Sequence, residues 1–450
     1  MTEVRGQHRP STIDLREEID ITHDYFSKRN IRVGIIGAGA MGKGLFYQCH
    51  ITSGFECVAL ADIRQERAVA CAEWLKRNYC QVDNLVAANH AIDSGQLAIC
   101  ENGNLVTNCD QVDVVIEASS SIIEAGKFAV SALTNRKHLV LMNSEIDLIF
   151  GPYLLELAQK HGVIYTSCDG DQHGVIKRLV DKMMLWGFDL VMVGNIKGFL
   201  DRYSNPTKII PEAEKRNLDY RMATAYTDGT KLNIEMALVS NALGISTLTP
   251  GMLGPKAEDV HQVFQLYDFE TLWAERQQFA DYILGAEPGG GVFAIGYCDN
   301  EYQQYMLNYY KMGKGPFYLF YRPYHLCHIE ALECVANAVH YNKPLLQPTA
   351  GFRTNVYAYA KRDLHHGEKL DGIGGYTCYG LIENAFPDGN NGLPICLADN
   401  VTLQRDIGKD EKILISDIIY DEYRIDFQLY SKSVSSSGGR SRKNYFLHLK

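Results

Sequence analysis

The stretch Arg32-Val-Gly-Ile-Ile-Gly-Ala-Gly-Ala-Met-Gly-Lys-Gly44 decides the fold class of this chain. An apolar strand runs directly into the spacing Gly37-x-Gly39-x-x-Gly42, and a helix is predicted to follow. In such a pattern the first glycine makes a tight turn, the second leaves bare backbone beside a pyrophosphate, and the third lets helix and strand pack closely. The helix also directs the positive end of its dipole at the phosphates. The sequence therefore predicts a dinucleotide-binding fold.

An acidic residue lies where a ribose-binding carboxylate is expected in this fold. Residues 56–61 are predicted as the second strand, and Asp62 follows that strand, 20 residues past Gly42. Asp62 favours a free ribose 2′-hydroxyl, whereas Arg64 suits a 2′-phosphate, so both NADH and NADPH remain open. After the strand at 112–117, the hydroxyls and amides of 118–121 flank the nicotinamide or simply cap a helix. The predicted cofactor-binding residues are Gly37, Gly39, Ala40, Met41, Gly42, Asp62, Arg64, Ala118 and Ser119.

Length and composition indicate an ordinary globular protein with more than one domain. The chain has 450 residues, 46% of them hydrophobic and 22% charged, and a formal charge of −10 that argues against general nucleic-acid binding. We find no signal-like or membrane-spanning apolar run, and we expect a cytoplasmic protein. The 12 cysteines are scattered singly, which predicts reduced thiols rather than disulfides or a zinc motif.

Strands and helices alternate from residue 31 onward, which is typical of a parallel sheet with helices on both faces. We predict an α/β fold with a Rossmann-type doubly wound parallel sheet, a central α+β catalytic domain and a small β-rich C-terminal domain. A helix is expected at 151–161, and we expect a homodimer or a higher homo-oligomer. The predicted divisions are an N-terminal helical extension (1–30), a dinucleotide-binding domain (31–166), a catalytic and dimerisation domain (167–328), a helix returning to the dinucleotide-binding domain (329–350) and the β-rich region (351–450).

Acidic residues follow two neighbouring strands of the predicted sheet. Glu145 comes after the strand at 138–142, and Asp169 and Asp171 come after the strand at 163–166. Ligands bind outside the carboxyl ends of parallel strands, so these carboxylates are expected to share a cleft. Like charges in a cleft repel unless a cation or a proton separates them. We therefore predict either a divalent-ion site, for Mg²⁺ or Mn²⁺, or an acid–base site; helix caps are the alternative.

A cationic segment follows the strand at 190–193. It contains Lys197, Arg202 and Lys208 among Ser, Asn and Thr donors, the groups that a phosphorylated or carboxylated small substrate needs. A solvated surface loop is the alternative. The predicted catalytic residues are Lys197, Lys208, Glu145, Asp171 and Arg202.

The chain resembles the homoserine dehydrogenase-like oxidoreductases in five segments. They are the glycine loop at 33–42, Val112-Asp-Val-Val-Ile-Glu-Ala118, Asn143-Ser-Glu145, Cys168-Asp-Gly-Asp171 and Asn195-Ile-Lys-Gly198. One branch of these oxidoreductases carries a C-terminal SAF domain, and residues 361–370 and 397–407 are similar to that domain. Within this branch the chain resembles the 1-deoxy-D-xylulose 5-phosphate reductoisomerase-like enzymes. The resemblance implies rearrangement of 1-deoxy-D-xylulose 5-phosphate and its reduction by NADPH to 2-C-methyl-D-erythritol 4-phosphate. It also implies a divalent ion on Glu145, Asp169 or Asp171, and substrate contacts from Lys197, Arg202 and Lys208.

Two other functions fit the same fold. One is a dehydrogenase acting on another small polyol, sugar phosphate or hydroxy acid. The other is a non-catalytic protein that senses the dinucleotide. The acidic segment Asp169-Gly-Asp171-Gln-His173 differs from the Asp-Ser-Glu-His motif of ordinary reductoisomerases.

Overall fold

The computed structural model describes residues 29–215, 218–385 and 391–438. The helix expected within the N-terminal extension, at residues 12–28, lies outside them. The first part of the chain alternates strands and helices as predicted: β1 (Ile31–Ile36), α1 (Ala40–Ile51), β2 (Phe55–Ala61), α2 (Gln65–Trp74), β3 (Tyr79–Gln81), α3 (Leu85–Asp93), β4 (Leu97–Cys100), α4 (Gly103–Asn108), β5 (Val114–Glu117), α5 (Ile123–Thr134), β6 (His138–Leu141), α6 (Ser144–His161), β7 (Tyr165–Ser167) and α7 (Gln172–Leu185).

These seven strands form one parallel sheet in the order β3-β4-β2-β1-β5-β6-β7. The strand order reverses at β1, where Val33 lies opposite Cys57 on one side and Val114 on the other. Such a reversal opens a crevice at the carboxyl ends of the strands, which is where ligands bind in these sheets. The prediction of a Rossmann-type doubly wound sheet is confirmed.

Helix α6 begins earlier than the sequence predicts. The prediction of a helix over 151–161 is wrong at its start, because the helix begins at Ser144 and carries Pro152 in its interior. A proline in a helix normally lies in its first turn, so the pair Gly151-Pro152 predicts that a helix begins there. The side chain of Asn143 instead caps the helix by accepting a hydrogen bond from Ile146 N at 3.2 Å. Glu145 therefore belongs to a helical first turn rather than to a loop.

A second sheet follows the parallel one. Its strands are β8 (Asp189–Lys197), β9 (Phe279–Leu284), β10 (Val292–Tyr297) and β11 (Phe317–Arg322). Between β8 and β9 lie the helices α8 (Pro206–Lys215), α9 (Tyr220–Thr227), α10 (Thr230–Leu243), α11 (Val263–Leu266) and α12 (Phe269–Ala274). Helix α13 (Glu301–Tyr309) connects β10 to β11. The strand order is β11-β10-β8-β9, and only the β8–β9 pair is parallel. Helix α10 packs on α6 and α7, so this part of the chain lies against the carboxyl edge of the parallel sheet.

The remaining elements are α14 (Cys327–Tyr341), β12 (Thr354–Ala360), β13 (Lys369–Asp371), β14 (Cys378–Asn384), β15 (Asp399–Leu403), β16 (Ile418–Ile419) and α15 (Ile425–Gly438). Helix α14 packs on α1, β6 and β7, and thus returns to the parallel sheet. Strands β12–β14 and β13-β15-β16 form the small antiparallel sheets that the composition predicts.

The C-terminal region is less separate than the predicted boundary at 351 suggests. Its last helix, α15, packs on α5 and α6, and β12 and β14 pack on α10. The Nζ of Lys361 forms a buried ion pair with Asp228 Oδ2 at 2.8 Å, which ties this region to the turn before α10. The twelve cysteines are unpaired, as predicted. Among the helices described here, none combines the length and the apolar character that a membrane crossing requires.

Candidate active site

The glycine loop after β1 has one position that faces open space. Gly37 adopts a φ of +98°, and a Cβ there would approach Ser119 N to 2.7 Å, so the turn lies directly against the loop after β5. A Cβ on Gly42 would overlap the carbonyl oxygen of Gly37. In contrast, a Cβ on Gly39 would meet no atom within 4 Å. The loop therefore leaves bare backbone exposed at Gly39, as a pyrophosphate requires.

Asp62 lies at the edge of the same loop. Its carboxylate is 8% exposed and accepts hydrogen bonds from Ala38 N at 2.7 Å and from Arg64 N at 2.9 Å. The two bonds fix the carboxylate beside the glycine turn, where a ribose is expected. The side chain of Arg64 is exposed at the start of α2, and Ala40 and Met41 form the first turn of α1.

The loops after β5 and β6 are tied together by one amide. The Nδ2 of Asn143 donates to the carbonyl oxygens of Ser119 and Ser121, both at 2.9 Å. At the end of β5, the fully buried Glu117 accepts a hydrogen bond from Ser119 N at 3.0 Å. Burial raises the pKa of Glu117 to about 8, against the lowering effect of the hydrogen bonds that it accepts from Ser119. Glu117 is thus a neutral carboxylic acid at pH 7 and below.

Lys231, in the first turn of α10, is the centre of the site. Its Nζ donates to Ser144 Oγ at 2.6 Å and to Glu145 Oε1 at 2.9 Å, and the residue is only 5% exposed. Burial acts against its charge, but the neighbouring carboxylates, Glu145 foremost, outweigh it and raise the pKa of Lys231. The lysine therefore stays protonated although it is buried.

Glu235 lies one helical turn after Lys231 and is also buried. Burial, together with the negative charge of Asp171, raises the pKa of Glu235 to about 8, so this carboxyl group holds a proton at neutral pH. Lys197, at the end of β8, donates to Tyr226 O at 3.0 Å. Burial lowers the pKa of Lys197, against the opposing effect of Glu235. The site thus contains the protonated ammonium of Lys231 and the carboxyl group of Glu235, whose pKa lies close to neutral pH.

Asp171 contributes the third carboxylate. It caps α7 by accepting a hydrogen bond from Gln172 N at 2.8 Å. Burial opposes its charge, but His173 and Lys231 outweigh that effect and hold the pKa of Asp171 below its ordinary value. Burial lowers the pKa of His173, which is 2% exposed. Asp171 is thus ionised at neutral pH.

The three predicted metal ligands do not gather around one point. Asp169 is fully buried and forms an ion pair with Arg178, nine residues further along the chain. Glu145 pairs with Lys231. Within the described part of the chain, Asp171 alone of the three belongs to a group whose spacing suits a metal ion, and its partners there are His325 and Cys327. The two other carboxylates are neutralised by basic side chains of the protein itself.

The predicted cationic residues also separate. Lys197 reaches the Lys231 cluster, but Lys208 is exposed and its Nζ donates to Tyr203 O at 3.2 Å. Arg202 lies 5.3 Å from the ring centroid of Tyr379 in β14. It also lines a cavity of about 250 Å³ between α10 and the C-terminal strands.

Four residues of the site are not among the predicted site residues, namely Lys231, Glu235, His325 and Cys327, although the sequence places Lys231 as a base at a predicted helix start, in Asp228-Gly-Thr-Lys231. The sequence does carry a signal for the first two, because they lie four residues apart in an otherwise apolar helical stretch. His325 and Cys327 lie just before the predicted return helix at 329, with no spacing that marks them as ligands.

Family comparisons match two separate parts of the chain. Residues 32–135, which contain the glycine loop and Asp62, match the 3-hydroxyacyl-CoA dehydrogenase NAD binding domain. Residues 170–331, which contain Asp171, Lys231 and Glu235, match the catalytic domain of oxidoreductase DRL. No curated protein sequence matches the chain.

Several solved structures are similar to part of the chain. A DOX-P reductoisomerase with fosmidomycin and magnesium is 16% identical, with 46% of this chain and 56% of that chain covered and a TM-score of 0.33. Biliverdin reductase from Synechocystis sp. PCC 6803, with biliverdin and NADP⁺, is 15% identical over 39% and 49% of the two chains, with a TM-score of 0.28. The scyllo-inositol dehydrogenase from Lactobacillus casei is 16% identical over 38% and 46%, with a TM-score of 0.28.

The chain spans about half the length of these structures. The two family matches identify an NAD-binding domain joined to an oxidoreductase catalytic domain.

Proposed function

We propose that this protein is an NADPH-dependent reductoisomerase that converts 1-deoxy-D-xylulose 5-phosphate into 2-C-methyl-D-erythritol 4-phosphate. The observation that carries the proposal is the buried ammonium of Lys231 among Glu145, Asp171 and Glu235. A polar hydroxy ketone suits such a site, because its oxygens can replace water around buried charges. The proposal also agrees with the sequence resemblance to the reductoisomerase-like family.

Lys231 is the residue that we assign to the reacting oxygens of the substrate. A fixed ammonium in a site of low dielectric stabilises negative charge that develops on a carbonyl oxygen far better than water does. Glu145 and Ser144 hold the ammonium in place. This lysine therefore polarises the ketone during rearrangement and the new aldehyde during reduction.

Glu235 is the residue that we assign to proton transfer. Its pKa of about 8 lets it exchange a proton with a substrate hydroxyl near neutral pH. In the rearrangement one carbon–carbon bond breaks and another forms, and the proton that leaves the substrate hydroxyl is matched by one that the former ketone oxygen gains. In the reduction the aldehyde carbon takes a hydride and its oxygen takes a proton. The dinucleotide supplies the hydride when it is bound, and Glu235 supplies the proton.

We assign the substrate phosphate to the cationic segment after β8. Lys197 lies next to the carboxylate cluster, and Arg202 borders the neighbouring cavity. Lys208 is instead exposed in the first turn of α8, and its ammonium donates to the carbonyl oxygen of Tyr203. Arginine and lysine are the usual partners of phosphate in proteins.

A magnesium ion held jointly by Glu145, Asp169 and Asp171 does not fit these side chains. Such an ion needs carboxylate oxygens that are free to bind it. Asp169 and Glu145 are committed to Arg178 and Lys231. We therefore derive no catalytic step through an ion on that set.

The test is to incubate the full chain with NADPH and 1-deoxy-D-xylulose 5-phosphate and to identify the product by NMR. Formation of 2-C-methyl-D-erythritol 4-phosphate supports the proposal. NADPH oxidation with only other sugar phosphates, polyol-derived ketones or amino-acid aldehydes would indicate the dehydrogenase alternative. Dinucleotide binding without turnover of any compound would indicate the sensing alternative.

A further inference from the structure

Three potential metal ligands from different parts of the chain meet beside the Lys231 cluster. Asp171 follows β7, whereas His325 and Cys327 lie in the segment between β11 and α14. One ligand atom from each of the three side chains lies within 4.8 Å of the others. The Sγ of Cys327 is 4.0 Å from Asp171 Oδ1. The three residues are partly buried rather than scattered over an open surface.

A glycine brings these segments together. Gly170 adopts a φ of +83°, and a Cβ there would come within 2.5 Å of the carbonyl oxygens of Leu326 and Cys327. Any larger residue would therefore push the start of α14 away from the loop. The bare backbone of Gly170 lets Cys327 lie beside Asp171.

His325 is held in the orientation of a metal-binding imidazole. Its Nδ1 lies 2.7 Å from the carbonyl oxygen of Gly290, so Nδ1 carries the proton. The tautomer leaves the lone pair on Nε2. Histidine ligands of metal ions are commonly oriented in this way, with the second ring nitrogen donating to a backbone carbonyl.

A second histidine lies behind the group. The Nδ1 of His173 is 4.0 Å from Asp171 Oδ2, and the residue is 2% exposed. Neither of its ring nitrogens has a hydrogen-bond partner within the described part of the chain. A buried imidazole without partners is unfavourable, and it lies next to the carboxylate that the other two side chains face. A buried polar side chain without partners therefore lies next to the group formed by Asp171, His325 and Cys327.

We propose that Asp171, His325 and Cys327 bind a zinc ion through one oxygen, one nitrogen and one sulfur atom. The thiolate and imidazole ligands favour zinc over magnesium, which prefers oxygen ligands. A tetrahedral zinc ion spaces its ligand atoms about 3.3–3.7 Å apart, so side-chain rotations that shorten the longest separation by ~1 Å complete the site. Three protein ligands leave the fourth position open, as in catalytic zinc sites.

This site differs from the one predicted from the sequence in its ligands and in the class of metal. It shares only Asp171 with the set Glu145, Asp169 and Asp171. An ion there would lie on the carboxylate whose pKa the ammonium of Lys231 helps to lower. The proposal concerns metal binding alone and holds whatever the substrate is.

The experiment measures metal binding by the full chain, without reference to turnover. The protein is stripped with a chelator, titrated with Zn²⁺ against a competing chromophoric chelator, and examined by absorption spectroscopy after loading with Co²⁺. Thiolate ligation gives Co²⁺ a charge-transfer band in the near ultraviolet. Cys327→Ser and His325→Ala are the test variants, and Cys80→Ser, which changes another partly buried cysteine in β3, is the matched control.

We expect one zinc ion per chain, a thiolate-to-cobalt band, and no competition from millimolar Mg²⁺. Both test variants should fold, as judged by circular dichroism, and should lose zinc affinity by about tenfold or more, because each lacks one ligand. Only Cys327→Ser should lose the charge-transfer band, and Cys80→Ser should match the wild type. Absence of stoichiometric zinc binding, or affinity that is unchanged in both variants, would overturn the proposal. Failure to turn over 1-deoxy-D-xylulose 5-phosphate would overturn the proposed function and leave this result untouched.

Discussion

The ammonium of Lys231 donates to the carboxylate of Glu145 at 2.9 Å across 86 positions of sequence. The contact joins the first turn of α10 to the first turn of α6, and therefore the second part of the chain to the carboxyl edge of the parallel sheet. Its energetics differ from those of a surface ion pair, since both side chains are about nine-tenths buried. Removing one partner of a buried pair leaves an uncompensated charge, which costs about 3–5 kcal/mol.

We expect Lys231→Met to lower the melting temperature more at pH 8 than at pH 5. Without the ammonium, nothing offsets the repulsion between the ionised Asp171 and the charge that Glu235 gains as the pH rises toward its pKa of about 8, whereas Glu235 is protonated at pH 5. The double variant Glu145→Gln/Lys231→Met should recover part of the loss. Thermal unfolding of the single and double variants across this pH range is the measurement. An equal loss at both pH values would show that the carboxylates do not depend on Lys231.

The glycine loop predicts two different outcomes for two glycines. Gly39→Val should keep the melting temperature of the wild type but abolish dinucleotide binding, because its side chain fills space that is otherwise open. Gly42→Val should instead destabilise the protein, since its side chain overlaps the Gly37 carbonyl oxygen. Calorimetric titration with NADPH and thermal unfolding separate the two effects. Unchanged NADPH affinity in Gly39→Val would contradict the assignment of this loop.

Arg64 should influence the choice between the two dinucleotides. Its exposed side chain lies at the N-cap of α2, two residues after Asp62, on the side of the loop where a ribose 2′-phosphate is expected. If the protein prefers NADPH, Arg64→Ala should weaken NADPH binding by about tenfold and leave NADH binding nearly unchanged, because only NADPH carries the phosphate. The measurement is the dissociation constant of each dinucleotide for both proteins. Equal losses would exclude Arg64 from the selection.

Glu117 should make stability depend on pH in a defined direction. Its pKa is about 8 in the folded protein and near 4.5 in the unfolded chain, so the native state holds a proton that the unfolded state releases between these values. The contribution of Glu117 is therefore fully present below pH 4.5 and is lost as the pH rises toward 8, at about 1.4 kcal/mol per pH unit.

Glu117→Gln removes this titration while keeping the shape of the side chain. The melting temperature of the variant, relative to that of the wild type, should rise steadily between pH 5 and pH 8. Unfolding curves at four pH values measure the effect. A constant difference between the two proteins would show that Glu117 does not carry a raised pKa.

The cationic segment predicts unequal effects for its two lysines. Lys197→Ala should lower kcat/KM by a factor of about ten to a hundred, because it removes a charge beside the carboxylate cluster. Lys208→Ala should have a much smaller effect, since its ammonium binds Tyr203 O on the exposed face of the segment. Steady-state kinetics with any substrate that the protein accepts provide the comparison. A larger loss for Lys208 would contradict the assignment of the substrate phosphate to Lys197 and Arg202.

Local patterns account for the parts of the structure that the sequence predicts correctly. The glycine loop and Asp62 lie within one strand–helix–strand unit, so their spacing along the chain fixes their spacing in the fold. The start of α6 is mispredicted because Pro152 resembles a first-turn proline, while the cap at Asn143 and the buried apolar surface of the helix determine the true start.

The candidate site depends on contacts that spacing does not encode. Asp169 follows a strand of the parallel sheet, as a metal ligand would, but in the structure it forms an ion pair with Arg178 of the next helix. Asp171 meets Cys327 across 156 positions because Gly170 allows two chain segments to touch. Such pairings follow from packing between distant elements, so the residue types were visible in the sequence but their partners were not.

The most direct test of this account is the initial rate of NADPH oxidation by the wild type and by Lys231→Met, with 1-deoxy-D-xylulose 5-phosphate as the substrate. Lys160→Met, a change at an exposed lysine near the end of α6, serves as the matched control. We predict substrate-dependent oxidation by the wild type and the control, and a rate about a hundredfold lower in Lys231→Met with NADPH affinity unchanged. No substrate-dependent oxidation by the wild type, or full activity in Lys231→Met, would contradict the account.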